Sequence, residues 1–550
     1  MQLWQVLMGE PEDGSAEQVV RREGSRGIGN GSECQCFTPR CVSGGMPVNV
    51  CAITREILMM RKSTGTQKGT AYKAKAEMAG LRHEEVGGGH TTGDRKDSIT
   101  LQEGRSPALT GAYSDWEGPV TAKGQSPRAQ RTRKKVQVLQ NKLHTAAKKD
   151  LKRTFGILYD KICWWEVLWT SWIRVQQNKG APGVDGRTIE AIKEEGEVRF
   201  IRDIQRELVE HRYRPHPIRR VFIKKANGKL RPLGIPVVKD RVIQGAVKLI
   251  LEPIFEANFN EESYGFRPRR SCQDALKSVR KWVMYGYSSV IDADIESYFD
   301  TVDHTILMEL IRRRVRDKWI LRLIRRWLEC SIFDQDRAVL SARGTPQGAV
   351  LSPLLANIYL HPLDKYWAER HPETKLVRYA DDVRILIRRR NPEPYLQSLK
   401  GFMGKLHLTL SEEKTRIVKA EEGFNFLGVR FVVKPTRQDR TRNWCYGFPT
   451  PESMNRIRQK IREEVCGDYE ATLSEKIELI NPILRGWANY YHWLNSGEHF
   501  HKVGRYVIQR LNRWMRRKQG RVKRSYRRLH GNELFERGLH RISGTIVHVS

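Results

Sequence analysis

Two short apolar runs in the second half of the chain flank a pair of acidic residues. Residues 376–377 precede Asp381 and Asp382, and residues 383–387 follow them. Runs of this length, rich in β-branched side chains, predict two strands joined by a tight turn. Neighbouring side chains on a strand point to opposite faces, so both carboxylates serve one site only if a turn brings them together. They would then hold a divalent metal, or form the solvated acidic tip of a hairpin.

A third carboxylate follows another apolar run. Residues 290–291 predict a buried strand that ends at Asp294, in an acidic and aromatic turn. Burying this carboxylate is costly unless a cation or a hydrogen-bond donor meets it. Two Mg²⁺ ions about 4 Å apart, bridged by carboxylates, can activate a 3′-hydroxyl and stabilise a leaving pyrophosphate. We therefore expect Asp294, Asp381 and Asp382 to be catalytic residues that bind two Mg²⁺ ions.

Helical periodicity recurs on both sides of these strands. Apolar residues three or four apart, often with basic residues on the opposite face, predict amphipathic helices. The helical segments are 136–151, 155–172, 350–358, 457–465 and 473–487.

Two other segments have the patterns of a hairpin and of a linker. Residues 221–225 and 230–238 predict two strands that meet at an Asn227-Gly228 turn. Residues 434–450 are polar and Arg-rich, which predicts a linker between domains.

The charge balance points to a polyanionic partner. The 550 residues carry a formal net charge of +35, with a pI near 10.0, far beyond what solubility requires. A nucleic acid is the partner that this charge favours, and a merely basic surface is the alternative. The chain has no run of 18 apolar residues and no secretory signal, so we expect no membrane partner.

The nine cysteines are spread along the chain and do not suggest a disulfide framework. This usage predicts a reducing compartment. Cys34, Cys36, Cys41 and Cys51 are close in sequence but lack paired C-x-x-C units, so a zinc site there is the weaker of two interpretations.

The first 130 residues differ from the rest in composition and in apolar patterning. They are rich in glycine and poor in aromatic residues, and they show almost no periodic apolar pattern. Such a segment buries too little apolar surface to offset the entropy of ordering, so residues 1–130 are predicted to be a disordered extension. A reading frame that begins upstream of the true start is the alternative.

A set of separated motifs resembles one family throughout residues 131–550. In order they are GAPGVDG (180–186), KKANGKLRPLGIPVVKDRVIQ (224–244), SYGFRPRRS (263–271), DIESYFD (294–300), RGTPQGAVLSPLLANIYL (343–360), RYADD (378–382), FNFLGV (424–429) and NPILRGWANYY (481–491). Together they resemble the reverse transcriptases of mobile group II introns, which are also maturases.

The resemblance implies an α+β fold of the right-hand polymerase type, with fingers, a palm built on an antiparallel sheet, and a helical thumb. The implied domains are N-terminal RNA-binding helices (131–179), fingers and palm (180–433), a thumb or maturase domain X (450–504) and a basic DNA-binding tail (505–550).

The same resemblance implies a nucleotide pocket. Lys224 and Arg231 would contact the phosphates of the incoming deoxynucleoside triphosphate, and Gln347 would line the pocket. Phe299 would lie beneath the sugar and exclude a 2′-hydroxyl. The alternatives are surface charge for Lys224 and Arg231, and an ordinary core aromatic for Phe299.

The thumb and tail are implied to bind nucleic acid through Arg485, Tyr491, Trp514, Arg516 and Arg517. Basic residues interleaved with aromatic ones suit backbone neutralisation and base stacking. A solvated helix face is the alternative for the tail.

The implied function is an RNA-directed DNA polymerase, encoded by a mobile group II intron, that assists intron splicing and retrotransposition. Its expected partners are the intron RNA, an RNA template–DNA primer, target DNA and deoxynucleoside triphosphates, in the bacterial cytoplasm near the nucleoid rather than in an organelle. No histidine-and-cysteine nuclease module follows the tail, so priming from nascent DNA is expected. Two rivals remain: a polymerase-inactive RNA-binding splicing factor, and a retron or defence-type reverse transcriptase.

Overall fold

A computed structural model describes residues 127–224, 230–334, 337–339, 343–436, 438–519 and 528–544. Every described residue from Thr132 onward belongs to one structural unit; of a second unit, Met59–Arg131, only residues from Pro127 are described. The predictions for residues 1–126, including the early cysteines, and for the Asn227-Gly228 turn lie outside the described residues.

Helices make up most of the described residues. They are α1 (Pro127–Lys149), α2 (Tyr159–Ile162), α3 (Trp165–Asn178), α4 (Ile189–Glu195), α5 (Glu197–Val209), α6 (Val238–Glu256), α7 (Cys272–Met284), α8 (Tyr298–Thr301), α9 (His304–Arg312), α10 (Lys318–Leu328), α11 (Ser352–Arg370), α12 (Glu393–Lys405), α13 (Pro451–Val465), α14 (Leu473–Tyr491), α15 (Gly497–Lys518), α16 (Gly531–Glu536) and a short 3₁₀ helix (Ile542–Gly544). None of these described helices has the length and apolar character needed to cross a lipid bilayer.

The described strands form three sheets, so the fold is mixed α and β. The strands are β1 (Ile218–Lys224), β2 (Leu230–Ile235), β3 (Ser289–Asp294), β4 (Ile332–Asp334), β5 (Arg337–Val339), β6 (Lys375–Tyr379), β7 (Asp382–Ile387), β8 (Arg416–Lys419), β9 (Phe424–Phe426), β10 (Val429–Pro435) and β11 (Asn443–Pro449). Their orders are β2-β1-β4-β5, β6-β7-β3-β8 and β11-β10-β9.

The sheet β6-β7-β3-β8 contains the strands predicted around the acidic residues. All its pairings are antiparallel, and β3 runs beside β7 with Ser289 opposite Ile387 and Asp294 opposite Asp382. Residues 290–293 of β3 are buried, as the apolar run predicted. The strand predictions at this sheet are confirmed.

Several predicted boundaries were wrong. Helix α1 ends at Lys149, so Leu151 lies outside it with 51% of its surface exposed. Strand β2 ends at Ile235, and Val238 begins α6 instead of ending the hairpin. These are errors of a few residues at the ends of correctly predicted elements, where propensity is least informative.

The predicted linker at 434–450 is instead part of a hairpin. Strands β10 and β11 pair along seven residues, from Val429 opposite Pro449 to Pro435 opposite Asn443. In β11 the buried residues Cys445, Gly447 and Pro449 alternate with half-buried ones, a period of two that marks a strand. Arg440 and Arg442, two of the arginines that suggested a linker, lie between the two strands.

The C-terminal helices pack around one apolar core. Ile457, Ile461 and Val465 of α13 are at most 3% exposed, and they share the core with Ile480 and Leu484 of α14. The amphipathic helices predicted in this region are confirmed. Helix α15 runs without a break across the boundary predicted between residues 504 and 505.

A buried ion pair supports the turn between β6 and β7. The Arg378 guanidinium is fully buried and donates to both carboxylate oxygens of Asp364, at 2.8 and 2.5 Å. It also donates to Asn357 Oδ1 at 3.0 Å and to the carbonyl oxygen of Ala380 at 2.9 Å. Ala380 has a φ of 58°, a left-handed conformation that a non-glycine residue rarely adopts. The ion pair therefore helps to hold the strained turn.

We predict that Asp364→Asn lowers the free energy of unfolding by about 3–5 kcal/mol, because it leaves the Arg378 charge buried without compensation. The matched control is Asp203→Asn, which removes an exposed partner of Arg206 and should cost less than about 1 kcal/mol. Urea unfolding followed by circular dichroism measures both. Equal, small losses would show that the buried pair does not stabilise the fold.

Candidate active site

Three carboxylates meet at one end of the sheet β6-β7-β3-β8. Asp294 is the last residue of β3, and Asp382, the first residue of β7, lies directly opposite it. Asp381 follows Ala380 and directly precedes Asp382, within the tight turn that joins β6 to β7. The turn therefore brings the adjacent pair to the same edge as Asp294.

Asp381 is the least satisfied of the three. Its Oδ1 atom is buried and has no hydrogen-bond partner among the described residues. Burial raises the pKa of Asp381 to about 6, and the negative charge of Asp294 adds to the increase. The positive charges of Arg231 and Arg378 act in the opposite direction. A buried, unpartnered carboxylate oxygen calls for a cation.

Arg384 fixes the position of the Asp382 side chain. The Asp382 Oδ1 atom accepts a hydrogen bond from Arg384 Nη1 at 2.5 Å, and the same nitrogen lies 2.9 Å from Asp292 Oδ1. Burial raises the pKa of Asp382 to about 6, opposed by Arg384 and reinforced by the charges of Asp292, Asp381 and Asp294. Arg384 is a residue that sequence reasoning missed. Arg384 lies opposite Asp292 where β7 pairs with β3, and only the register of the two strands shows this.

Asp294 is paired with Lys414, a second residue that sequence reasoning missed. The Lys414 Nζ atom lies 2.7 Å from Asp294 Oδ2, and both side chains are about one-third exposed. The backbone N–H of Ser411 donates to the carbonyl oxygen of Asp294 at 2.8 Å, which holds residues 411–415 against the end of β3. Lys414 and Asp294 are 120 positions apart, so no local pattern in the sequence marks them as partners.

The donor set fits a hard divalent cation. All three candidate ligands are carboxylates, the oxygen donors that Mg²⁺ prefers. Two of them are engaged by Lys414 and Arg384, and within the described residues no group of three or more His, Cys, Asp or Glu side chains is arranged around a metal position. The unpartnered oxygen of Asp381 is the observation that supports a metal site here.

Two predicted nucleotide-binding residues lie together beside these carboxylates. Arg231 Nε donates to Gln347 Oε1 at 2.9 Å, although the residues are 116 positions apart. Arg231 also acts on the pKa of Asp381, so the pair borders the carboxylate cluster. The backbone N–H of Gly234 donates to the carbonyl oxygen of Gln347 at 2.6 Å, which joins β2 to the loop that precedes α11.

Phe299 lies in α8, five residues after Asp294. It is 6% exposed, and its ring meets that of Tyr298 edge to face at 5.3 Å. Its carbonyl oxygen accepts from Thr345 N at 2.7 Å, which ties it to the Gln347 loop. The side chain of Lys224 lies outside the described part of the chain, and only its backbone, paired with Leu230, is described.

The predicted nucleic-acid contacts divide into two groups. Arg485 on α14 and Arg516 and Arg517 on α15 are exposed. Arg517 also borders a small pocket lined by Cys466, Tyr469, Arg510, Arg513, Trp514 and Arg517. These arginines are accessible to a phosphate backbone.

Tyr491 and Trp514 require a correction, because both are core residues. Tyr491 is 4% exposed, and its hydroxyl is hydrogen-bonded within the protein, with Gly428 O at 3.1 Å and Ser453 Oγ at 2.8 Å. Trp514 is 3% exposed and donates to Gly467 O at 3.2 Å. Neither ring is free to stack on a base, so aromatic interleaving marked the apolar face of a helix.

Comparison with known families identifies two domains in the chain. Residues 223–431 match the family described as reverse transcriptase (RNA-dependent DNA polymerase). Residues 454–532 match the group II intron, maturase-specific domain. The second match favours an intron-encoded protein over a retron or defence enzyme.

Two bacterial proteins agree with these matches. Protein YkfC of Escherichia coli is 34% identical over 361 residues, which span 56% of this chain and 88% of that protein. Group II intron-encoded protein LtrA of Lactococcus lactis is 30% identical over 435 residues, 63% of this chain and 72% of LtrA. A chain of a Cas6-RT-Cas1–Cas2 complex covers 45% of this chain and 42% of its own length, at 23% identity and a TM-score of 0.30.

Both domains occur in one chain, in the order seen in the sequence motifs, and the coverage of the two relatives extends over most of their length. The protein therefore belongs to the group II intron-encoded proteins, which are RNA-directed DNA polymerases with maturase activity.

Proposed function

We propose that Asp294, Asp381 and Asp382 bind two Mg²⁺ ions and catalyse the transfer of deoxynucleotides to a DNA primer on an RNA template. The observation that carries this proposal is the buried, unpartnered Oδ1 atom of Asp381, at a sheet end where two further carboxylates converge. When bound, such metal ions activate the primer 3′-hydroxyl and neutralise the charge of the departing pyrophosphate.

The protein's own cations prepare the cluster. Three carboxylates close together repel one another, which favours their protonated forms. Lys414 and Arg384 offset the charges of Asp294 and Asp382, so the acidic site can form before any ligand arrives. Arg384 is itself fixed by a hydrogen bond to the carbonyl oxygen of Asn425 at 3.0 Å, so it positions Asp382 rather than taking part in the reaction.

The nucleotide pocket is proposed to lie beside this cluster. Arg231 offers a planar guanidinium suited to triphosphate oxygens, with Lys224 as a second cation. Gln347 accepts from Arg231 and so fixes the orientation of its guanidinium. Phe299 would fill the space that a 2′-hydroxyl requires, which favours deoxynucleotides.

The wider assembly is a right hand of fingers, palm and thumb. In it, residues 131–179 bind intron RNA, residues 180–433 form the fingers and palm, and the helices after residue 450 grip the template–primer and the intron RNA. Exposed Arg485, Arg516 and Arg517 support the last assignment. Target DNA would contact the tail beyond residue 505. The relatives from Escherichia coli and Lactococcus lactis support the bacterial cytoplasm as the compartment.

We predict that Asp381→Asn reduces primer extension on an RNA template by at least about a hundredfold, or about 3 kcal/mol of transition-state stabilisation, because the central metal ligand is lost. Asp203→Asn, an exposed substitution of the same kind, should extend primers like the wild type. Binding of intron RNA should be unchanged in both variants, since splicing uses the protein as a scaffold. Undiminished extension by Asp381→Asn would refute the assignment of the active site.

We predict that Phe299→Val admits ribonucleotides, raising the kcat/KM ratio of ribo- to deoxynucleoside triphosphate by about 10- to 100-fold. The control is Phe402→Val in α12, a buried phenylalanine at 2% exposure, which should leave the ratio unchanged. Steady-state single-nucleotide incorporation measures the ratio. A loss of activity without a change in the ratio would mean that Phe299 is only a core residue.

A further inference from the structure

Helix α10 has an apolar face and a basic face. Ile320, Leu323, Ile324, Trp327 and Leu328 form the buried face. The opposite face exposes Lys318, Arg322 and Arg325, with Arg326 partly buried at its margin. Asp317 caps the helix by accepting from Trp319 N and Ile320 N, so the only acidic group at its start is engaged by the backbone.

The arginines are held close together without carboxylate partners. Arg326 Nη1 and Arg214 Nη1 both donate to the carbonyl oxygen of Tyr213, at 3.3 and 3.1 Å. Among the described residues, no ion pair joins Arg214, Arg322, Arg325 or Arg326 to an acid, including Glu329, which follows the helix. The positive charges of Arg214 and Arg322 add to burial in lowering the pKa of Arg326. This arrangement concentrates uncompensated positive charge.

A rigid base supports these cations. The Tyr213 hydroxyl donates to Asp240 Oδ1 at 2.8 Å and accepts from Trp327 Nε1 at 3.0 Å. The Trp319 ring stacks on His211 with centroids 3.6 Å apart, and the Arg322 guanidinium lies 4.7 Å from the Trp319 centroid. Arg214, Arg322 and Arg326 are therefore positioned in advance, which reduces the entropy lost when they bind a ligand.

This surface lies apart from the carboxylate cluster. Helix α10 leads into β4, which pairs with β1 at Ile218. Arg231, which borders Asp381, pairs with Ile223 near the other end of β1. Five residues of strand separate the two positions, about 17 Å at 3.3 Å per residue. A ligand on α10 would thus be distinct from a nucleotide at the carboxylates.

We propose that Arg214, Arg322, Arg325 and Arg326 form a phosphate-binding surface that takes the backbone of the intron RNA, separate from the cleft that holds the template–primer. The inference rests on the proposed function, because the maturase role supplies an RNA partner besides the template. The exposed face of α10 is rich in planar guanidiniums, and the exposed Trp319 ring already stacks on His211 with Arg322 over it, which favours backbone phosphates over bases.

The test uses the full-length double variant Arg322→Gln/Arg325→Gln. The probe is intron RNA transcribed from the DNA that flanks the reading frame. We expect about a tenfold weaker Kd at low salt, and a log–log salt dependence less steep by about 2, because two phosphate contacts are lost. Primer extension on an unrelated oligonucleotide template should keep its wild-type kcat/KM. Arg325→Gln alone, at an exposed position, should give an intermediate loss.

The matched control is Lys400→Gln/Lys405→Gln on α12, which removes the same net charge from another exposed surface. It should change the Kd less than about twofold. Equal losses of RNA affinity in both double variants would show that only net charge matters, and would overturn the proposal. Unchanged RNA affinity in the α10 variant would also overturn it. A parallel loss of primer extension would place the template–primer on this face and also overturn it. A wild type that extends primers but does not bind the intron RNA would refute the maturase role as well.

Discussion

The accumulation of negative charge at one end of a largely buried sheet is the constraint on which the site depends. Asp294, Asp381 and Asp382 occupy neighbouring positions, and each ionised carboxylate makes the next one harder to ionise. The protein balances this charge with cations from four directions: Arg231 from β2, Arg378 from β6, Arg384 from β7 and Lys414 from the loop before β8. Among the described residues, the buried Oδ1 atom of Asp381 has no hydrogen-bond partner, and this atom supports the proposed metal site.

The same constraint explains the construction around the turn. A left-handed Ala380 is needed to turn the chain so that Asp381 and Asp382 face a common edge. Arg378 holds this conformation by donating hydrogen bonds to Asp364, Asn357 and the Ala380 carbonyl oxygen. Asn357 in turn donates to the carbonyl oxygen of Gly265 at 2.8 Å. Gly265 packs closely against the turn, because a Cβ on it would lie 2.3 Å from the Ala380 nitrogen. The SYGF motif is therefore packed against the acidic turn, and a side chain at Gly265 would displace it.

The arginines of this protein have two different roles. Some arginines lie inside the protein and hold structure, as Arg378 and Arg384 do. Others, on α10, α14 and α15, face outward with no ion pair to a carboxylate among the described residues, which is the distribution expected of a protein that binds polyanions at more than one place. Net charge alone could not separate these roles. The separation depends on which arginines find acids within the fold.

The sequence by itself determined the local elements and the family. The strands beside Asp294 and Asp381, the hairpin around residues 221–235 and the amphipathic helices after residue 450 follow from short-range periodicity, which a single chain displays. The motif order identified an intron-encoded reverse transcriptase. Composition was misleading where a polar, Arg-rich hairpin tip resembled a linker, as between β10 and β11, and where aromatic residues among basic ones suggested stacking, as at Tyr491 and Trp514.

Tertiary structure alone decided the partners. The Lys414–Asp294 and Arg231–Gln347 contacts join residues 120 and 116 positions apart, and the Arg384 contact with Asp292 depends on the register of two strands. No local pattern encodes such contacts, because they arise from how separate elements pack. Burial is likewise a property of the packed chain, and it is burial that leaves the Oδ1 atom of Asp381 without a solvent partner and makes Tyr491 and Trp514 core residues.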